Sequence, residues 1–188
     1  MKTLRTTVPR IAVLGLGNLM RTDDAVGMLT IQQLRADPRF PRSVSLIEGG
    51  TLGLDLLYPL EGITHLLALD AIDAGAEPGI LLRYSGEEIA DLPVSKSVHL
   101  LGFSDLIGAM RLVESAPSEI VVLGVQPEET GWGTQLTATV EAALTVLAEC
   151  AISQVSQWMD DIAEDQEPVL TAPAVVPHLV AAEETWYW

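Results

Sequence analysis

Three side chains far apart in the chain, Asp24, Asp70 and His99, have the donor types to hold one borderline divalent ion. Two carboxylates and an imidazole suit Ni²⁺ or Zn²⁺ and leave coordination positions open for water or substrate. Each lies where an element begins or ends. Asp24 closes IAVLGLGNLMRTDD, in which an apolar strand runs into a turn that Gly15 and Gly17 free from Cβ obstruction. Asp70 ends a leucine-rich run, HLLALD, where a carboxylate is costly to bury unless it is paired or coordinated. His99 opens a helical pattern reaching Arg111. If Ser97 caps that helix, the positive helix end keeps the imidazole neutral, with a lone pair to donate. Each residue also has a plainer role open to it. Asp23 and Asp24 serve as partners of a helix dipole, Asp70 as a hydrogen-bonded turn residue, and His99 as a satisfied helix-start histidine. Asp23 is the rival of Asp24 for the ligand position.

The glycine turn invites comparison with a dinucleotide-binding loop, and that reading fails twice. The G-x-G-x-x-G spacing wants a glycine where Met20 stands, and a phosphate would approach a helix start already carrying Asp23 and Asp24. Like charges at ~4 Å repel by about 4 kcal/mol at an effective dielectric of 20, so the turn favours a cation. Ligands of open α/β sheets collect at the C-terminal ends of the strands, which is where these acids fall. No G-x-S-x-G elbow, H-E-x-x-H helix or Walker loop is present. His65, at a strand start, and His178, near the C-terminus, are read as structural or solvated.

The elements that must position these residues alternate strand and helix. Ile11–Leu16 is a buried strand, and Thr22 is the expected N-cap of a helix running to Ala36 and ended by Asp37-Pro38. Ser43–Glu48 is a second strand, followed by Gly49-Gly50-Thr51 and a leucine-rich helix over 52–57. His65–Ile72 is the third strand. Gly79–Tyr84 is a fourth, antiparallel at an edge, because Ala74–Pro78 is too short for a helical crossover. A short helix is expected over Glu87–Leu92, then the helix carrying His99, the strand Glu119–Val125 and an amphipathic helix Thr134–Met159.

Composition narrows the function. The 188 residues suit one domain, with ten basic and 26 acidic residues and a net charge of −16. That balance argues against nucleic-acid or anionic-membrane partners. Seven of the acids and none of the bases fall in Asp160–Trp188, which leaves −9 on the body. The organisation expected is therefore a domain over 1–159 and a disordered acidic, proline-containing tail over 160–188. Cys150 is the only cysteine, so no disulfide framework or cysteine metal cluster is available. No signal peptide or uninterrupted apolar span is evident, and a cytoplasmic location is expected.

Five motifs in order, VLGLGNLMRTDDAVG, EGGTLGLDLL, LLALDAID, SVHLLGFSDLIGAMR and VVLGVQPEE, make the stretch from Arg10 to Ala148 resemble the hydrogenase maturation endopeptidases. These trim the C-terminus of a nickel–iron hydrogenase large subunit. The resemblance implies a doubly wound α/β domain of phosphorylase/hydrolase-like type, a mostly parallel five-stranded sheet flanked by helices on both faces, acting as a monomer. It places the metal contacts on Asp24, Asp70 and His99. It also implies that nickel is no resident cofactor but arrives in the large-subunit precursor and is read by the protease before the cut, which falls after a basic or histidine residue. Water is activated either by the shared metal as Lewis acid or by a carboxylate, Asp24, Asp70 or Glu48, as general base. Relatives often read Asp-Gly-Gly-Thr where this chain has Glu48. The loops 49–52, 73–79 and 126–133 are the expected walls of a peptide groove, with Trp132 either contacting the peptide or covering the core. Two rival functions stay open, another metal-assisted hydrolase on this sheet and a non-catalytic chaperone for the large subunit.

Overall fold

The computed structural model describes residues 8–89 and 98–166. Five strands form one sheet in the order β2-β1-β3-β5-β4, namely β1 (Ile11–Leu16), β2 (Ser45–Gly50), β3 (His65–Ala71), β4 (Leu81–Ser85) and β5 (Glu119–Val125). β2, β1, β3 and β5 are mutually parallel, and β4 lies antiparallel to β5 at the edge, as its short connection requires. α1 (Val26–Ala36) and α2 (Val98–Leu112) lie in connections between strands, and α3 (Ala138–Gln166) follows β5.

β1 is buried along its whole length, because both sheet faces are covered and the strand is apolar on both. Ile11 and Val13, with Leu67, Leu69, Val121 and Leu123, pack under α1 and α3. Ala12 and Leu14, with Leu66, Ala68 and Val122, pack under α2 and a 3-10 turn at Leu54–Leu57. This period-2 division assigns every strand residue a side, including the polar ones.

A glycine seats α1. A Cβ on Gly27 would stand 2.2 Å from the Leu69 carbonyl oxygen and 2.4 Å from that of Leu16, so only glycine lets the helix start rest on the ends of β1 and β3. Close helix–strand contact, which the nucleotide pattern sought at position 20, is thus met at position 27.

Several boundaries differ from expectation for tertiary reasons. Thr22 does not cap α1. It opens a 3-10 turn, Thr22–Ala25, and its hydroxyl donates to the Glu129 carbonyl at 2.6 Å, while α1 starts at Val26 with Ala25 as N-cap. The helix expected over 52–57 shrinks to the Leu54–Leu57 turn, with Gly53 and not Thr51 preceding it. β2 begins two residues later than expected and runs through both glycines. α3 continues past Met159 to Gln166, so residues 160–166, expected as the start of a disordered tail, are helical. Trp158 is buried and Ile162 packs on the same core, which extends the apolar stripe through the acidic residues. α3 is long and apolar enough to cross a membrane by length and composition, but Val140, Leu147, Ala151 and Val155 are buried in the core beneath it. The expected cap Ser97, part of the short helix over 87–92 and residues 167–188 lie outside the described residues.

His65, at the opposite end of the sheet, meets the Trp158 ring edge-on with centroids 5.4 Å apart. Burial pushes its imidazole below the ordinary value near 6.5, opposed by the carboxylates of Glu119 and Asp161. A depressed folded-state value means that the unfolded chain takes up the proton first. The stabilisation is therefore complete above about pH 6.5 and is lost as pH falls through the folded value. Thermal melts between pH 7.5 and 5.5 should show a decline in Tm that is shallower in His65→Gln.

Candidate active site

The turn after β1 is folded by its own main chain and by β2. Gly17 takes φ +119°, its N–H donates to the Gly50 carbonyl at 2.9 Å, and a Cβ there would fall 1.9 Å from the Asp24 carbonyl oxygen. This conformation, which L side chains rarely adopt, brings the 3-10 turn of Asp23 and Asp24 back over the C-terminal ends of the strands.

The two neighbouring acids then part company. Asp23 is fully buried, and its oxygens accept four hydrogen bonds from the loop after β5. These come from Glu128 N (2.9 Å), Glu129 N (2.9 Å), Thr137 N (2.7 Å) and Thr137 Oγ1 (3.0 Å). A carboxylate so occupied is a structural clamp. Asp24 is half-buried, and its Oδ2 accepts from Asn18 N at 3.0 Å. Of the two, Asp24 keeps access to solvent.

Asp70 is buried near the end of β3, opposite Gly124 of β5, and its Oδ1 accepts from Ala71 N at 2.9 Å. It has the parity of Leu66 and Ala68, and so lies on the α2 side of the sheet. Gly27 rests on the Leu69 carbonyl, which puts the Asp24 turn and Asp70 at the same sheet edge. α2 leads into β5, which runs parallel to β3. Its 15 residues, about 22 Å at 1.5 Å per residue, therefore start at this same edge and side, and His99 is in the first turn. Of His99 the structure describes the helical backbone and not the side chain.

Glu48 is not brought to this place. Leu46 belongs to the α1 and α3 side, so Glu48, two residues on, faces that side too. Its carboxylate pairs with Arg35 Nη1 of α1 at 2.5 Å. The alternation of β2 thus turns Glu48, a candidate general base by sequence, toward Arg35 and onto the sheet face opposite to that of Asp70.

Among the described residues no three His, Cys, Asp or Glu groups converge closely enough to hold a metal ion. Asp24 and Asp70 are the two described members of the predicted trio. As hard oxygen donors beside a helix start bearing an imidazole residue, they fit a borderline divalent ion in type.

Two groups that organise the edge escaped sequence reasoning. Gln126, nearly buried, accepts from Ala74 N (2.8 Å) and Ala76 N (3.1 Å) and donates to Asp73 Oδ1 (3.0 Å), tying the loop after β3 to the loop after β5. Thr137 completes the Asp23 clamp. The available signal for Gln126 was the one used for Asp70, a polar residue closing an apolar strand. Nothing local marks Thr137. Trp132, for which a role covering the core was one option, is 83% exposed on the loop 126–133.

A mostly parallel sheet with an acidic turn after β1, a buried aspartate ending β3 and a helix start beside them defines an open α/β domain whose candidate site lies at the strand C-termini. The sequence profile described as hydrogenase maturation protease (HycI) matches residues 28–154. Hydrogenase 2 maturation protease of Escherichia coli K12 is 36% identical over 148 residues, covering 78% of this chain and 88% of that protein. The hydrogenase expression/formation protein HupD of Bradyrhizobium diazoefficiens is 31% identical over 163 residues, with 85% of each covered. The solved hydrogenase maturating endopeptidase HybD from E. coli superposes with a TM-score of 0.74 at 32% identity, over 79% of this chain and 93% of that one. The chain belongs to the hydrogenase maturation protease family, and it is an endopeptidase.

Proposed function

We propose that this endopeptidase removes the C-terminal extension of a [NiFe]-hydrogenase large-subunit precursor, and that it reads nickel already held by the precursor through Asp24, Asp70 and His99. What supports this reading is that Asp24, Asp70 and the first turn of α2 share one sheet edge, while Asp23 is withdrawn into the fold. Coordination by these residues would distinguish a loaded client from an empty one, since only the loaded client gains the additional bonds. In this reading Asp24 or Asp70 takes a proton from the attacking water, and the client's ion would polarise the scissile carbonyl. We assign the protein to the cytoplasm as a monomer.

The test is incubation with precursor purified with and without nickel, followed by intact-mass measurement. A shortened large subunit is expected only from the loaded form. Equal cutting of both would remove the nickel-reading role, and binding without cutting would assign a chaperone's role instead.

A further inference from the structure

The loops around the site carry large apolar side chains out into solvent on backbone that is firmly held. Trp132 is 83% exposed and Met20 55%, whereas Trp158 of the same chain is buried. The backbone segments that carry them run side by side. Gly133 N donates to the Met20 carbonyl at 3.0 Å and Thr22 N to the Gly133 carbonyl at 3.0 Å, forming a parallel bridge between Arg21 and Gly133. The segment is pinned further by Arg21 Nε to the Thr130 carbonyl (2.9 Å) and by the Asp23 clamp. Gly133 makes the approach possible, since a Cβ there would lie 2.7 Å from Thr22 Cγ2. Met20 is also wired to the site. Its N–H donates to Asn18 Oδ1 at 2.9 Å, and Asn18 N donates to Asp24 Oδ2 at 3.0 Å.

We infer that Met20 and Trp132 form a preorganised apolar ledge that seats an apolar stretch of the precursor beside the bond to be cut. Tryptophan is enriched among the residues that anchor protein interfaces, and ordering it in advance lowers the entropic cost of docking. The occupant follows from position and charge. The ledge adjoins the Asp24 turn, where the client segment must lie, whereas a second copy of a chain of net charge −16 is repelled. The inference rests on the reading that the cut segment lies at Asp24 and Asp70.

Steady-state processing of nickel-loaded precursor tests it. Trp132→Ala should raise KM roughly 10- to 30-fold with kcat and Tm nearly unchanged, Trp132→Phe should restore most of the loss, and Met20→Ser should shift KM in the same direction. Replacing apolar client residues flanking the cut with serine should raise KM for the wild type and add little in Trp132→Ala, as expected of partners in contact. An unchanged KM in both variants would overturn the ledge. So would sedimentation showing a wild-type dimer that Trp132→Ala dissociates, which would assign the surface to a second copy. Failure of the underlying site reading shows separately, as cleavage retained in Asp70→Asn whatever the ledge variants do.

Discussion

Asp70→Asn is expected to lose about 10²- to 10⁴-fold in the rate of precursor processing while the protein stays folded. Asparagine has the same shape and keeps an oxygen to accept from Ala71 N, so the backbone at the end of β3 retains that hydrogen bond. What disappears is the negative charge, together with its capacity to take a proton or donate to an ion. A charge buried at the end of a leucine strand is kept at a cost to the fold, and a neutral isostere removes the cost of desolvating it. Processing assays on nickel-loaded precursor, paired with thermal melts, give the decisive combination of activity lost and Tm held within a few degrees. Asp24→Asn should behave alike. Cleavage at the wild-type rate by Asp70→Asn would exclude Asp70 from the chemistry.

Asp23→Ala is expected to do the reverse in kind, striking stability first. The substitution leaves Glu128 N, Glu129 N, Thr137 N and the Thr137 hydroxyl without their shared acceptor in a buried position. Each stranded donor costs about 1–3 kcal/mol, and water entering the cavity recovers part of this, so a net loss of about 3–5 kcal/mol is expected. That is a large share of the roughly 5–15 kcal/mol by which domains are stable, and it corresponds to a drop in Tm on the order of 10 °C. Asp23→Asn should fall between, because one acceptor oxygen survives. Circular-dichroism melts of the three adjacent variants Asp23→Ala, Asp23→Asn and Asp24→Asn would separate clamp from ligand. An unaltered Tm in Asp23→Ala would refute the clamp.

These two experiments mark the line between what residue order made legible and what it did not. The apolar runs at 11–16, 65–71 and 119–125 are strands because each is too short and too apolar for anything but a buried sheet position. The nine residues between β3 and β4 are too few for a helical crossover, which dictated an antiparallel edge strand, and β4 is one. The placement of acids at strand ends was likewise local information, and it led to Asp24 and Asp70 at one sheet edge. The side that Glu48 takes was not legible, because a strand-end acid can face either side. Only the register of Leu46 and Ile47 against the two cores, and Arg35 arriving from α1, reveal its side.

By itself the residue order determined the alternation of strand and helix, the edge at which chemistry would gather and the acids available there, because hydrophobic period and turn chemistry act over a few neighbours. The tertiary structure alone decided which of two adjacent aspartates would be spent on the fold. The partners of Asp23 lie more than a hundred residues away, and a hydrogen bond across that separation leaves no trace in local spacing. The same distant loop took the Thr22 hydroxyl from its expected cap and set the backbone segment of Trp132 beside that of Met20.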